Sequence, residues 1–176
     1  MPHLELPADA NPDEPVVPHQ RVGAYGVLLR QRDVGWQILM TRIAQKDYGA
    51  GLWTLPGGGI DHGEDPIDGV VREFHEETSL HVLPGEVRFV HSAHFYGRNR
   101  AGVLEDFHGL GVVYDVTAVP GEDLDGLRVL ERDSSTDLVQ WLNVAEAYDP
   151  RDERFDRGYS GVAEAALRTV YAEVFG

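Results

Sequence analysis

A Pro-Gly-Gly-Gly turn at residues 56–59 is followed six residues later by Asp65-Pro66 and then by a dense run of glutamates. This stretch constrains the chain more than any other. Asp is a good helix cap and Pro suits the first helical position, so a helix is predicted from residue 66. Ile67, Val70, Val71, Phe74 and Thr78 recur at helical spacing and are expected to form its buried stripe. Glu73, Glu76 and Glu77 fall together on an adjacent side, where like charges three and four apart repel one another. A chain that keeps such a cluster beside a glycine turn needs a partner for the charge. Hard divalent cations such as Mg²⁺ and Mn²⁺ prefer oxygen ligands and would remove the repulsion. Gly57, Gly58 and Gly59 let the backbone approach a ligand closely, and a carbonyl of the turn can complete a coordination shell. Arg72 can hold a carboxylate bidentately and fix its rotamer.

Around this centre the chain reads as one domain. "VGAYGVLLR" and "WQILMTRI" form two strands joined by "QRDVG", a hairpin pattern, and "LWTLPGG" is a short strand entering the turn. "HVLPGEVRFVHSAHFY", "FHGLGVVYDVTAV" and "LVQWLNV" read as later strands, and "SGVAEAALRTVYAEVF" as a closing amphipathic helix. The mixture of strands and helices predicts an α/β or α+β sandwich with a mixed sheet. Residues 1–19, with five prolines, are expected to be an extended arm outside the core, and 20–176 a single domain. The arm is a candidate packing element for a second subunit, so a homodimer is among the expected assemblies.

The net charge is −15, from 15 Lys and Arg against 30 Asp and Glu. That balance repels a nucleic-acid backbone and argues against a DNA- or RNA-coating role, while a small phosphorylated substrate could still be received where cations screen the acids. No apolar run is long enough to cross a bilayer, and the first residues lack a secretory pattern. With no Cys, disulfides, thiolate zinc sites and Cys nucleophiles are excluded, and a cytoplasmic location is expected.

The motif resembles the signature of the Nudix hydrolase family. Five residues separate Gly58 from Glu64, and seven more lead to Arg72 and Glu73, then Phe74, His75, Glu76, Glu77, Thr78, Ser79 and Leu80. Every element of the signature over 58–80 is present except a late glycine, whose place is taken by Ser79. The resemblance implies an α/β/α sandwich carrying the motif as loop-helix-loop. It implies a Mg²⁺- or Mn²⁺-dependent pyrophosphohydrolase that cleaves a nucleoside diphosphate linked to another moiety, or a nucleoside triphosphate. By the same resemblance Glu73, Glu76 and Glu77 would be metal ligands with the Gly58 carbonyl, Arg72 would orient them, and Glu64 would support the edge of the site. The general base in this family is a helix glutamate or an acid from a downstream loop, which leaves Glu105, Asp106, Glu131, Asp133 and Asp137 as further candidates.

Other candidates are less specific. Arg42, and more weakly Lys46, could touch a substrate phosphate, and Asp137 could lie near it. His91, His94 and His108 could converge on a metal or substrate. Tyr48, Trp53, Phe95 and Tyr96 could stack on a base. The rival to hydrolysis is a nucleotide-binding sensor on the same fold, although such relatives usually lose signature acids, which this chain keeps. An isopentenyl diphosphate isomerase would need the Cys this chain lacks. Substrate identity is left open among nucleoside triphosphates, nucleotide sugars and dinucleoside polyphosphates.

Overall fold

A computed structural model describes residues 5–11, 13–45, 49–99, 101–130, 134–150 and 158–176. Its strands are β1 (Val17–Val27), β2 (Leu29–Arg32), β3 (Gly35–Ile43), β4 (Trp53–Thr54), β5 (Gly57–Gly59), β6 (Val82–Arg98), β7 (Leu104–Ala118) and β8 (Thr136–Asn143). The helices are α1 (Pro66–Thr78), α2 (Val144–Ala147) and α3 (Gly161–Phe175). None of the described helices is long and apolar enough to cross a membrane.

The strands form two four-stranded sheets. One has the order β5-β1-β7-β6, with β1 and β7 parallel and the other pairs antiparallel. The other pairs β3 with β2, β4 and β8, all antiparallel. The expected hairpin over "QRDVG" is present, but its first strand divides. The chain leaves the first sheet after Val27 and joins the second at Leu29. Alternation along the strands then supplies two cores, one on each side. Leu39, Tyr114 and Val116 pack with Val70 and Phe74 of α1. Ile38, Met40 and Val113 pack with Ala163, Ala166, Leu167 and Val170 of α3. This is an α+β sandwich with mixed strand directions.

Helix α1 starts where the sequence predicts. Asp65 caps it by accepting a hydrogen bond from the Ile67 amide at 2.9 Å, with Pro66 in the first turn. The buried stripe differs from expectation. Ile67 is 44 % exposed, burial begins at Gly69 and Val70, and Glu77 joins Phe74 and Thr78 inside. The helix ends on Ser79, which among the described residues is the one non-glycine with positive φ, at 66°. A left-handed residue with a Cβ costs roughly 1–2 kcal/mol, and glycine is the usual solution at this position. Ser79→Gly should therefore stabilise the protein by about 0.5–1 kcal/mol after the entropy of a freer unfolded chain is deducted. Thermal unfolding should show the midpoint rising by about 1–4 °C; an unchanged or lower midpoint would contradict this.

β1 begins at Val17, five residues before the start expected from its apolar pattern, and residues 17–21 pair with 105–109 of β7. The described residues that precede it are tied to the end of β6. Arg98 donates from Nε to Asp9 Oδ2 at 2.9 Å, and from Nη1 and Nη2 to the two Glu14 oxygens at 2.7 and 2.9 Å.

Candidate active site

The glycine turn is the short strand β5, and it must lie close to β1. A Cβ on Gly57 would come within 2.3 Å of the Ala24 carbonyl oxygen, and the residue has a φ of 141° that disfavours any side chain. This contact leaves the Gly57 amide pointing at α1, where it donates to Glu77 Oε2 at 3.0 Å. Thr136, the first residue of β8, donates its hydroxyl to Glu77 Oε1. Glu77 is only 2 % exposed, yet donors from both sheets hold its carboxylate. A buried carboxylate is tolerable when it is hydrogen-bonded in this way.

Arg72 is the hub of the exposed side. Its Nε and Nη2 grip both Glu64 oxygens at 2.8 and 2.9 Å, and Nη1 reaches Glu73 at 2.9 Å and Glu76 at 3.1 Å. Nη2 also donates to the Gly59 carbonyl at 3.1 Å, which binds the helix to the turn. The Arg72 guanidinium, with the Asp61 amide as a second donor, pulls the Glu64 carboxyl down to about 2. The Glu64 carboxylate in turn raises the Arg72 pKa.

Because the Glu64 pKa is depressed in the folded state, the clamp's stabilisation is complete above the ordinary glutamate value of 4.5 and is lost as the pH falls through about 2. Acid unfolding of the protein and of Glu64→Gln should therefore converge across that window. A stability gap that stays constant down to pH 2 would contradict the clamp.

Glu73, Glu76 and Glu77 line one cleft of about 970 Å³ together with the turn glycines and Arg72. A Cβ on Gly58 would come within 2.8 Å of the Glu73 carboxylate, so the absence of a side chain there lets the acid and the turn backbone meet. The donors, three carboxylates beside a backbone turn, are of the hard oxygen type that suits Mg²⁺ or Mn²⁺. Among the described residues no three acid or imidazole side chains already form a metal cage. Here Glu73 and Glu76 are drawn to Arg72, and Glu77 to Gly57 and Thr136.

The remaining candidates separate. Arg42 and Asp137 pair with each other at 2.8 Å and are not among the residues lining this cleft. Glu105 lines the cleft, whereas Asp106 bonds His94 at 2.6 Å on the other face of the sheet. His94 and His108 sit directly opposite each other with ring centroids 5.5 Å apart, also on that outer face. His91 alone of the three faces the cleft, and burial lowers its pKa. Phe95 faces the cleft, Tyr96 does not, and Trp53 packs against the α3 core. Lys46, Tyr48, Glu131 and Asp133 lie outside the described residues. Thr136 carried no signal in the sequence, since a lone Thr at a strand start has no motif. Arg21 and His19 also face the cleft, and were missed because they fall at or next to the proline-rich segment.

The chain matches a family model described as NUDIX domain over residues 18–160. It is 34 % identical over 56 residues to an RNA pyrophosphohydrolase of Rhizobium meliloti, a match covering 31 % of this chain and 34 % of that protein. The matches to curated relatives span about a third of their length or less. A MutT NUDIX hydrolase from Burkholderia pseudomallei superposes with a TM-score of 0.55 at 24 % identity, covering 86 % of this chain and 98 % of that one. The NUDIX domain of Shewanella oneidensis NrtR, in complex with ADP ribose, gives a TM-score of 0.60 at 16 % identity over 94 % of both chains.

Proposed function

The chain belongs to the Nudix family, and from that premise we propose that it is a divalent-metal-dependent pyrophosphohydrolase acting on a nucleoside diphosphate linked to another group or on a nucleoside triphosphate. The observation that carries this reading is the meeting of Glu73, Glu76 and Glu77 with the glycine turn on one cleft, the first two held by Arg72 and the third by Gly57 and Thr136. Glu73, Glu76, Glu77 and the Gly58 carbonyl would hold Mg²⁺ or Mn²⁺. The cation's contribution there would be neutralised phosphate charge and a lowered pKa for bound water. The protein's own groups do the rest. Arg72 fixes the carboxylate rotamers by its shared hydrogen bonds, and Glu64 keeps Arg72 in place. Gly57 and Thr136 hold the Glu77 carboxylate in one orientation as the substrate arrives. Water attacks one phosphorus, the bridging P–O bond breaks, and a carboxylate of the cleft takes the water's proton.

The test is a hydrolysis screen in ¹⁸O-water over nucleoside triphosphates, nucleotide sugars and dinucleoside polyphosphates, with Mg²⁺, Mn²⁺ or EDTA, read by product mass. One class should be cut at a diphosphate bridge, with one solvent oxygen incorporated, and only when the cation is present. Binding without turnover across the panel would instead support a nucleotide sensor.

A further inference from the structure

Across the floor of the cleft runs a row that carries no side chains. Gly59 of β5 stands opposite Gly23 of β1, and Gly23 stands opposite Gly111 of β7. β5 is the edge of this sheet, so the row ends at the turn, and Glu73, Glu76 and Glu77 of α1 line the same cleft. Arg21 and Tyr25 flank Gly23, each two residues away on β1, so all three share the cleft face. Both side chains reach over the bare strip from the rows on either side of it.

The Tyr25 ring lies across Gly23 and Gly111, since a Cβ on either glycine would stand 3.0 Å from its Cε2 atom. The ring packs against the core under α3. Its hydroxyl lies over Gly23, 3.2 Å from where a Cβ would be, and the Gly58 carbonyl oxygen is 2.7 Å from that same position. The hydroxyl and the carbonyl of the turn therefore flank one point above the floor. Arg21 lies at the other end of the strip. A Cβ on Gly59 would come within 2.3 Å of both its Nε and its Nη2, so the guanidinium rests against the turn.

Neither polar group is committed to the fold. Arg72 and Arg98 also line the cleft, but Arg72 is shared among Glu64, Glu73 and Glu76, and Arg98 grips Asp9 and Glu14. Among the described residues the Arg21 guanidinium has no ion pair, and neither it nor the Tyr25 hydroxyl has a hydrogen-bond partner. A tyrosine ordinarily keeps its proton up to about pH 10. Burial raises that value for Tyr25, with Arg21 opposing and Glu77 and Glu73 adding. The hydroxyl is therefore a donor at neutral pH, set beside a cation in a cleft of carboxylates.

We propose that Tyr25 and Arg21 form a second wall of the active site, a clamp that binds the non-bridging phosphoryl oxygens of the substrate's diphosphate bridge. This deepens the hydrolase reading and rests on it, because the clamp serves a diphosphate lying between the glycine row and the acids. Tyr25 donates one hydrogen bond, and Arg21 offers a planar fork that matches two phosphate oxygens. Neither group exchanges a proton in the reaction. The glycine row gives the bridge room to lie on the floor between them. The acids alone repel a polyphosphate, and Arg21 supplies positive charge from the protein itself.

Tyr25→Phe keeps the ring and removes the hydroxyl. It should lower kcat/KM for the accepted substrate about 10- to 100-fold and leave the thermal midpoint within about 2 °C of the wild type. Arg21→Ala should cause at least as large a loss. Arg21→Lys should recover only part of it, because an ammonium keeps the charge and loses the fork. Mn²⁺ uptake should be no weaker in any of these variants; weakened uptake would assign the residues to the cation site and overturn the clamp. Methylenediphosphonate, whose P–C–P bridge is not hydrolysed, separates the clamp from the hydrolase reading. In Mg²⁺ the wild type should bind it, and Tyr25→Phe and Arg21→Ala should each bind it at least about fivefold more weakly. That pattern supports the clamp even if no substrate in the screen is cut. Absent binding, or equal binding by the wild type and either variant, overturns the clamp even where hydrolysis is observed.

Discussion

Glu76→Gln should lower turnover of the accepted substrate by about 100-fold or more while leaving the thermal midpoint within about 2 °C of the wild type. The side chain is 37 % exposed and accepts a hydrogen bond from Arg72 Nη1 at 3.1 Å. The amide has the same shape and can still accept that bond. What it loses is a formal negative charge on the cleft wall, which is the property a divalent cation requires. Steady-state kinetics with saturating Mg²⁺, alongside a melting curve in EDTA, reads the two effects separately. Turnover within threefold of the wild type would mean that this carboxylate is a solvated helix residue.

Glu77 is built differently, and its loss should register first in stability. Removing it in Glu77→Ala leaves the Gly57 amide and the Thr136 hydroxyl without the acceptor they share, at buried positions. Each orphaned buried donor costs about 1–3 kcal/mol, and the lost side chain adds a void. A total of about 3 kcal/mol corresponds to a fall of roughly 6–12 °C in the midpoint. Glu77→Gln keeps one acceptor oxygen, so its loss should be about half as large. Melting both variants in EDTA removes any contribution from bound cation. Equal midpoints for Glu77→Ala and the wild type would show that the two sheets are not joined through this carboxylate.

The two variants also show how far the sequence could be read. The Asp65-Pro66 start and the glutamate spacing were legible because capping and helical period are local rules. Glu77 was grouped with the exposed acids because of its charge. Yet Val70, Phe74 and Glu77 follow the zero, four, seven spacing of a buried stripe, and geometry won over polarity once Gly57 and Thr136 supplied donors. Ile67 failed in the opposite sense, as an apolar residue in a first turn where burial has not yet begun. The early part of β1 was invisible for a different reason. Pro18, His19, Gln20 and Arg21 show no apolar alternation, because the residues of this stretch that face the cleft are His19 and Arg21. The parity of β6 was readable, since period two places His91 and Phe95 on one face and His94 on the other. Which face meets the cleft was not, since that depends on the pairing of β6 with β7 and of β7 with β1. The Arg42–Asp137 contact likewise joins residues 95 apart in sequence through β3 and β8.

The central claim is that the glutamates of α1 serve a divalent cation, and direct titration with Mn²⁺ tests it without any knowledge of the substrate. Electron paramagnetic resonance of free Mn²⁺ should show saturable uptake by the wild type, competed by Mg²⁺, and a loss of affinity of at least about tenfold in Glu76→Gln. Uptake that is absent, or identical in the wild type and the variant, would contradict the account.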